Sequence, residues 1–239
     1  MRLDTYLFDK SFVTSRTRGS NLIALGRVSV NGVIVKKASF DVKETDLVSI
    51  SEDYDASLGG IKLSHALEKF NVQVADKVCL DVGASNGGFT DILLKNGAKR
   101  VYALDVGECA LPDRLKSDNR VIIMDRTNAR DITFDRFDPV AVLAVIDVSF
   151  ISLTLVLDAV KRSISPTGEI IALIKPQFEC SKRDLNKKGI LLDVKKRNNS
   201  VMKVKNYAEG IGLSVERICE APHPFDEKNQ EYLIYLKCK

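Results

Sequence analysis

Apolar side chains in this chain recur first at helical spacing and then in short runs, and the change of period divides it into two parts. Leu3, Leu7, Phe8 and Phe12 fall on one helical stripe. Ser15-Arg16-Thr17-Arg18 opens a second helix with Leu22, Ile23 and Leu25 on its face and Gly26 at its end. Residues 28–35 alternate across Asn31-Gly32, a pair that tolerates positive φ, so a hairpin follows. Beyond Lys77 strands alternate with helical segments. Strands are predicted at 78–82, 100–104, 121–124, 140–146 and 169–174, with helices from Gly87, near 153–160 and at 194–210. This is a doubly wound α/β pattern. The end departs from it, because 213–219 and 231–237 read as two strands joined by a Pro/Asp-rich loop, a hairpin with no helix between.

The boundary between the parts is marked by charge. From Glu44 the balance turns acidic through Asp46, Glu52, Asp53 and Asp55, and Ser57-Leu58-Gly59-Gly60 reads as a flexible stretch, which places a junction near residue 56. Two domains are expected, 1–56 and 57–239. Residues 1–43 carry eight basic side chains against three acidic ones, although the whole chain has a net charge of only +4. The excess therefore belongs to the small N-terminal part, where a basic face suits a polyanion.

Several function classes drop out on composition. The longest stretch without charge, 148–157, is far short of the ~20 apolar residues that span a bilayer, so no membrane role is expected. Asp4, Asp9 and Lys10 interrupt any apolar leader, which points to the cytoplasm. Five scattered cysteines lack Cys-x-x-Cys spacing, and His65 and His223 are isolated, so reduced thiols and no metal are expected.

Arg2-Leu3-Asp4, Ser15-Arg16, Leu22-Ile23, Gly26-Arg27-Val28 and Val30-Asn31-Gly32 together resemble the S4-like (alpha-L) RNA-binding domain, an α+β module. The resemblance covers residues 1 to about 50. It implies that Arg2, Arg16, Arg18, Arg27, Lys36 and Lys37 face structured RNA, chiefly at phosphates, which position a protein without reading sequence.

In the second part, Leu80-Asp81-Val82-Gly83-Ala84-Ser85-Asn86-Gly87-Gly88-Phe89-Thr90 reads as a strand, a tight glycine turn and a helix start. The dinucleotide fingerprint needs a second glycine two residues after the first so that backbone can approach a pyrophosphate. Ser85 stands there instead. A cofactor without phosphates, S-adenosylmethionine, fits such a loop better, with Asp81, Gly83, Ala84, Ser85, Gly87, Gly88 and Phe89 around it. In open α/β sheets ligands bind beyond the carboxyl ends of parallel strands. Asp81, Asp105, Asp125, Asp147 and Lys175 close the five predicted strands, and Glu231 opens the reversed last one, so all are expected along one rim. Lys62, just before a short helical run through His65, Ala66, Leu67 and Phe70, is expected to overhang it. Asp105 and Val106 are expected to meet the cofactor ribose, with Asp125 and Asp147 also on the cofactor side.

The order Lys62, Asp147, Lys175, Glu231 resembles the Lys-Asp-Lys-Glu tetrad of FtsJ-type ribose 2′-O-methyltransferases. The words Gly59-Gly60-Ile61-Lys62-Leu63, Asp125-Arg126-Thr127-Asn128-Ala129-Arg130, Asp147-Val148-Ser149-Phe150-Ile151-Ser152-Leu153 and Ile174-Lys175-Pro176-Gln177-Phe178-Glu179 resemble the TlyA branch, as does the glycine loop. With the N-terminal module the match spans nearly the whole chain. Asn86 stands where Thr is usual and Asp125 where Glu is common. The resemblance implies a class I methyltransferase sheet with an antiparallel last strand, S-adenosylmethionine as cofactor, and ribosomal RNA or a ribosomal subunit as partner, with no obligate protein partner. It implies 2′-O-methylation of a cytidine. The chain ends just after its last strand, whereas longer members also modify the small subunit, so the large-subunit (23S) RNA is the expected target.

A ribose hydroxyl is a weak nucleophile and a free lysine, with a pKa near 10.4, is almost fully protonated at neutral pH. Lys175 therefore either accepts the hydroxyl proton or only steers a lone pair. Asp147 orients the lysines, and Lys62 with Glu231 positions the ribose. Two other classes compete with this reading. A non-catalytic RNA-binding or ribosome-assembly factor would use the N-terminal module without a filled cofactor pocket. A metal-dependent small-molecule O-methyltransferase would have no use for the first fifty residues. A pore-forming haemolysin would need a spanning or strongly amphipathic segment, and none is visible.

Overall fold

The computed structural model describes residues 1–13, 15–51, 58–222 and 228–239. The expected junction near 56, the acids Glu52, Asp53 and Asp55, Ser57 and His223 lie outside the described residues. Contacts along the chain fall into two compact units, one of residues 1–58 and one that begins at Gly59.

In the first unit α1 (Leu3–Asp9) and α2 (Arg16–Ala24) pack on a three-stranded sheet of β1 (Val28–Val30), β2 (Val33–Ile34) and β3 (Val48–Ile50), in the order β2-β1-β3. Ser15 caps α2 by accepting from the Arg18 amide at 3.2 Å. Asn31 and Gly32 take φ of 52° and 79°, the left-handed pair that a tight hairpin requires. The Asn31 side chain also donates to Asp46 Oδ1 and accepts from the Leu47 amide, both at 2.9 Å, which ties the turn to the entry of β3. That third strand was not expected, since its three residues sit within the acid-rich stretch. Leu3, Leu7, Leu22, Ile23, Val28 and Val30 form the core, but Phe8 and Phe12 do not join it. They remain 44% and 37% exposed: Phe8 falls off the one narrow stripe that Leu3 and Leu7 fill, and Phe12 lies beyond the end of α1 at Asp9.

A buried carboxylate holds this unit's basic face. Asp4, 3% exposed, accepts from Arg2 Nε and Nη2 at 3.0 Å each and from Arg16 Nη2 at 3.2 Å. The Arg2 hydrogen bond, opposed by burial and helped by Arg16, brings the Asp4 carboxyl down to about 2. A carboxyl lowered in the folded state adds stability that is present above its unfolded value and is lost as pH falls through the folded one. Asp4→Asn is expected to destabilise the first unit by roughly 2 kcal/mol at pH 7, discounted for the half-exposed arginines. In denaturant melts the gap from the parent protein should close as pH falls from 4 to 2; an equal gap at pH 2 and pH 7 would contradict the clamp.

The second unit takes in all but the first residue of α3 (Leu58–Phe70), followed by β4 (Val78–Val82), α4 (Gly88–Lys95), β5 (Arg100–Leu104), α5 (Asp113–Lys116) and β6 (Val121–Met124). Next come β7 (Leu143–Ile146), α6 (Leu157–Ser163), β8 (Glu169–Ile174), α7 (Pro176–Glu179), α8 (Val194–Gly210), β9 (Leu213–Glu220) and β10 (Tyr232–Cys238). The seven strands lie in the order β6-β5-β4-β7-β8-β10-β9. The first five are mutually parallel, and β10 runs antiparallel between β8 and β9, in register Tyr232↔Ile174. Strands buried on both faces read as continuous apolar runs, and β4 and β7 are wholly buried. One face is covered by Leu157, Val160, Val201 and Val204 from α6 and α8, the other by Leu63, Leu67, Phe70, Ile92 and Leu93 from α3 and α4.

Three expectations need correction. Leu58, Gly59 and Gly60 are helical: the buried register Leu63, Ala66, Leu67, Phe70 carries α3 back through them despite about 1 kcal/mol of helix cost per glycine. Lys62 therefore lies inside a helix and not before one. The strand expected from 140 starts at Leu143, and the helix expected at 153–160 divides into a 3-10 turn, Leu153–Leu155, and α6.

Candidate active site

Two adjacent parallel strands, β4 and β7, carry the chain away in opposite directions across the sheet, and the crevice opens above their carboxyl ends. It is a cavity of about 490 Å³ whose wall includes Gly83, Ser85, Asp105, Val106, Asn128, Arg130, Asp147 and Phe150. Gly83 makes the crevice possible. At φ +88° a side chain is strained, and a Cβ there would lie 2.5 Å from the Asp147 carbonyl oxygen. At Gly87, φ +81°, a Cβ would meet Leu111 and Leu115 at 2.6 and 2.7 Å, so this glycine serves helix packing. Asp105 is held by two amides, Ser85 N on Oδ2 and Gly107 N on Oδ1, both at 2.9 Å, which fixes its carboxylate at the rim.

Of the expected cofactor residues, Gly83, Ser85, Asp105, Val106 and Asp147 line the cavity and the others do not. Ala84 and Phe89 are buried in the core between α4 and the sheet, at 4% and 3% exposure, because the glycine turn points them inward. Gly87 and Gly88 are buried at the start of α4. Asp125 accepts from the Cys109 amide at 2.6 Å, and that bond holds its carboxyl below the usual range; it braces the loop after β5. Asp81 is fully buried, receiving the Thr90 hydroxyl at 2.6 Å while its Oδ1 has no partner. Thr127, Asn128, Ala129, Arg130, Val148 and Ile151 line the wall without having been expected there. They fall in the two six- and seven-residue words that carried the family resemblance, which was the available signal.

The four tetrad residues meet as two ion pairs. Lys62 Nζ, on α3, lies 2.5 Å from Glu231 Oε2, with side chains 19% and 16% exposed. Lys175, which caps α7, places Nζ 2.5 Å from Asp147 Oδ1 and donates to Ser149 Oγ at 2.8 Å. The contact with Asp147 is an ion pair that lacks hydrogen-bond angles. Sheet register brings the pairs together: Glu231 and Lys175 each lie one residue beyond the Tyr232↔Ile174 match of β10 and β8. The Phe178 ring lies 6.0 Å from Lys175 Nζ and 5.1 Å from the ring of Phe150, which is 91% exposed at φ +64°.

This donor set suits a cationic ligand. Asp105 and Asp147 face the cavity and Asp81 lies beneath it, close enough that their charges add to burial in pushing the Asp81 carboxyl up to about 7. The crevice combines that acidic rim with apolar wall from Leu104, Ala129, Val148 and Ile151, which matches a sulfonium attached to a nucleoside. Among the described residues no group of three or more His, Cys, Asp or Glu is placed to hold a metal ion, and all five cysteines are free thiols.

The model of the FtsJ-like methyltransferase family matches residues 56–238, and that of the S4 domain matches residues 1–48. The 16S/23S rRNA (cytidine-2′-O)-methyltransferase TlyA of Mycobacterium tuberculosis is 37% identical over 239 residues, covering 99% of this chain and 89% of its own. The chain belongs to the TlyA family of FtsJ-like methyltransferases. The 23S rRNA (cytidine-2′-O)-methyltransferase TlyA of Campylobacter jejuni is 33% identical and covers 98% of each chain. A solved structure, of a hemolysin-named protein from Streptococcus thermophilus, superposes with a TM-score of 0.77 at 33% identity over 100% of this chain and 88% of its own. Among the described residues, no helix of this TlyA family member is long and apolar enough to cross a membrane.

The first unit's basic residues are placed as follows. Arg2 and Arg16 share Asp4 and remain more than half exposed, Lys36 and Lys37 are exposed beyond β2, and Arg18 and Arg27 are half-buried. A second basic surface was missed. Residues 182–205 carry nine lysines and arginines against two acids, a denser excess than the N-terminal module has, and a charge count in short windows would have found it. They border a cavity of about 650 Å³ lined by Arg183, Lys196 and Lys203 between α7 and α8.

The buried acid yields a test. A carboxyl raised in the folded state contributes most below its unfolded value and loses that contribution as pH rises toward 7, at about 1.4 kcal/mol per unit. Asp81→Asn is expected to gain a few kcal/mol relative to the parent protein between pH 4 and pH 8, read from denaturant melts. A difference independent of pH would show that Asp81 is ionised throughout.

Proposed function

We propose that this protein transfers a methyl group from S-adenosylmethionine to the ribose 2′-hydroxyl of a cytidine in ribosomal RNA, in the large-subunit (23S) molecule. Residues 1–56 form the S4-like RNA-binding domain and 57–239 the catalytic one, acting in the cytoplasm on RNA or subunit without an obligate protein partner. The observation that carries the reading is the pairing of Lys175 with Asp147 and Lys62 with Glu231 beside an acidic crevice at the switch point of the sheet. The large subunit is favoured because 23S RNA is the substrate that the names of both relatives share. The S4 domain match and the two basic surfaces favour RNA over a small-molecule acceptor.

S-adenosylmethionine supplies an electrophilic methyl on a sulfonium. Gly83, Ser85, Val106, Asn128 and the apolar wall would hold it, with Asp105 at its ribose hydroxyls and Asp147 at its cationic end. Lys175 in its neutral amine form accepts the acceptor hydroxyl's proton as the oxygen is methylated, and the ammonium so formed is paired by Asp147, the pairing seen in this structure. Ser149 keeps the lysine from swinging away, since Nζ is anchored on it. Lys62 and Glu231, paired and mostly withdrawn from water, fix the sugar's position. Phe150 presents an exposed ring at the cavity mouth, and a strained φ on an exposed aromatic suits a base-stacking platform.

Incubation of ribosomal subunits with the protein and cofactor, followed by mapping of positions newly resistant to alkaline cleavage, tests the activity, because cleavage requires a free 2′-hydroxyl. One protected cytidine in 23S RNA is expected. Lys175→Ala should slow methylation about 10²- to 10⁴-fold, with cofactor affinity nearly unchanged because Lys175 is off the cavity wall. Methylation by that variant at the parent rate would refute the mechanism.

A further inference from the structure

Glu179 ends α7 four residues after Lys175, and its side chain is 1% exposed. A carboxylate so withdrawn from water is costly unless its oxygens are fully engaged. Here they are. Oε1 accepts from the Leu153 amide at 2.6 Å, and Oε2 accepts from Ser152 Oγ at 2.5 Å and Lys203 Nζ at 3.0 Å. Lys203, on α8, also donates to the Glu179 carbonyl at 3.1 Å, so the charge is paired within the same knot.

Two of the donors, Ser152 and Leu153, belong to the segment that runs on from Asp147. Ser152 lies three residues beyond Ser149, with Phe150 and Ile151 of the cavity wall between them. The segment after β7 and the segment after β8 therefore touch at two points. At one end Lys175 meets Asp147 and Ser149; at the other Glu179 meets Ser152 and Leu153. Neither segment is long enough to hold itself: α7 is a single turn, and 147–152 has no regular structure. A short helix and a loop keep a fixed separation only if something outside their own backbone sets it.

We infer that Glu179 is a positioning residue for methyl transfer, whose buried carboxylate locks the Lys175 segment to the Asp147–Ser149 segment. The inference rests on the catalytic reading of Lys175 and Asp147 given above. Glu179 touches neither of them, so it acts through the two backbones. Loss of the lock leaves the sheet and the glycine loop intact and lets Lys175 drift relative to the acceptor hydroxyl, where a misplacement of about 1 Å can cost on the order of 100-fold.

The test is single-turnover methylation of ribosomal subunits by the full-length protein with radiolabelled S-adenosylmethionine, comparing Glu179→Ala, Glu179→Gln and Lys175→Ala. Cofactor affinity is measured in parallel by calorimetry. Glu179→Ala is expected to lower the rate roughly 10- to 100-fold while cofactor affinity changes less than about threefold. Glu179→Gln keeps an oxygen for the Leu153 amide and gives Ser152 Oγ a side-chain amide donor; Lys203 loses Oε2 but keeps the residue-179 carbonyl and is half-exposed to water, so this variant should recover most of the rate. A Glu179→Ala protein at the parent rate would overturn the inference. So would a loss of rate matched by an equal loss of cofactor binding, or a Gln variant as slow as the Ala one, since both would mark a general structural role. Parent-like methylation by Lys175→Ala would instead overturn the catalytic reading itself.

Discussion

The site depends on how closely the end of β4 can approach the end of β7. Gly83 turns with a positive φ against the Asp147 carbonyl, at a distance that leaves no room for a Cβ. That contact does two things at once. It opens the crevice at the point where the chain direction reverses across the sheet, and it sets where Asp147 begins the segment that carries Ser149 and Phe150. Three rim groups are placed relative to that pair of strand ends: Asp105 one strand to one side, Lys175 one strand to the other, and Glu231 one strand further.

Charge then decides what the crevice can take. Three aspartates gather at and below it, and Lys175 pairs with one of them, Asp147. Asp81 feels the other two: burial, with smaller repulsion from Asp147 and Asp105, pushes its carboxyl up. A cationic nucleoside relieves that repulsion and a phosphorylated dinucleotide would add to it. The same logic separates the second rim, where Lys62 and Glu231 neutralise each other and leave a polar but uncharged patch. In the first unit a buried acid has a different use: Asp4 spends its charge on holding two arginines outward.

Much of this was legible in the residues. Alternation of apolar runs with helical periods gave the five parallel strands, and α8 was bounded correctly because its caps, Asp193 and the Gly210–Gly212 exit, are local signals. That Asp147, Lys175 and Glu231 share a rim was readable from strand order, since the ends of parallel strands and the start of a reversed one lie together, whereas the grouping with Lys62 came from the family resemblance. What was not legible depended on tertiary contact. Nothing local distinguishes Asp81, sealed under Thr90, from Asp105, held open by two backbone amides; both are acids at strand ends. Phe89 follows a glycine loop, yet its ring turns into the core because the helix it opens is amphipathic. Gly59 and Gly60 look like a linker until α3's apolar register is extended through them. In the sequence Glu179 is only the last letter of a family word, and its partners lie 26 and 24 residues away along the chain.

A crystal structure of the protein with S-adenosylhomocysteine bound tests the central claim most directly. The ligand is expected to occupy the crevice over Gly83, with its ribose hydroxyls within hydrogen-bond distance of the Asp105 carboxylate and its sulfur turned toward Asp147 and Lys175. A ligand seated elsewhere, or one in this crevice with its sulfur facing away from the Lys175 segment, would contradict it.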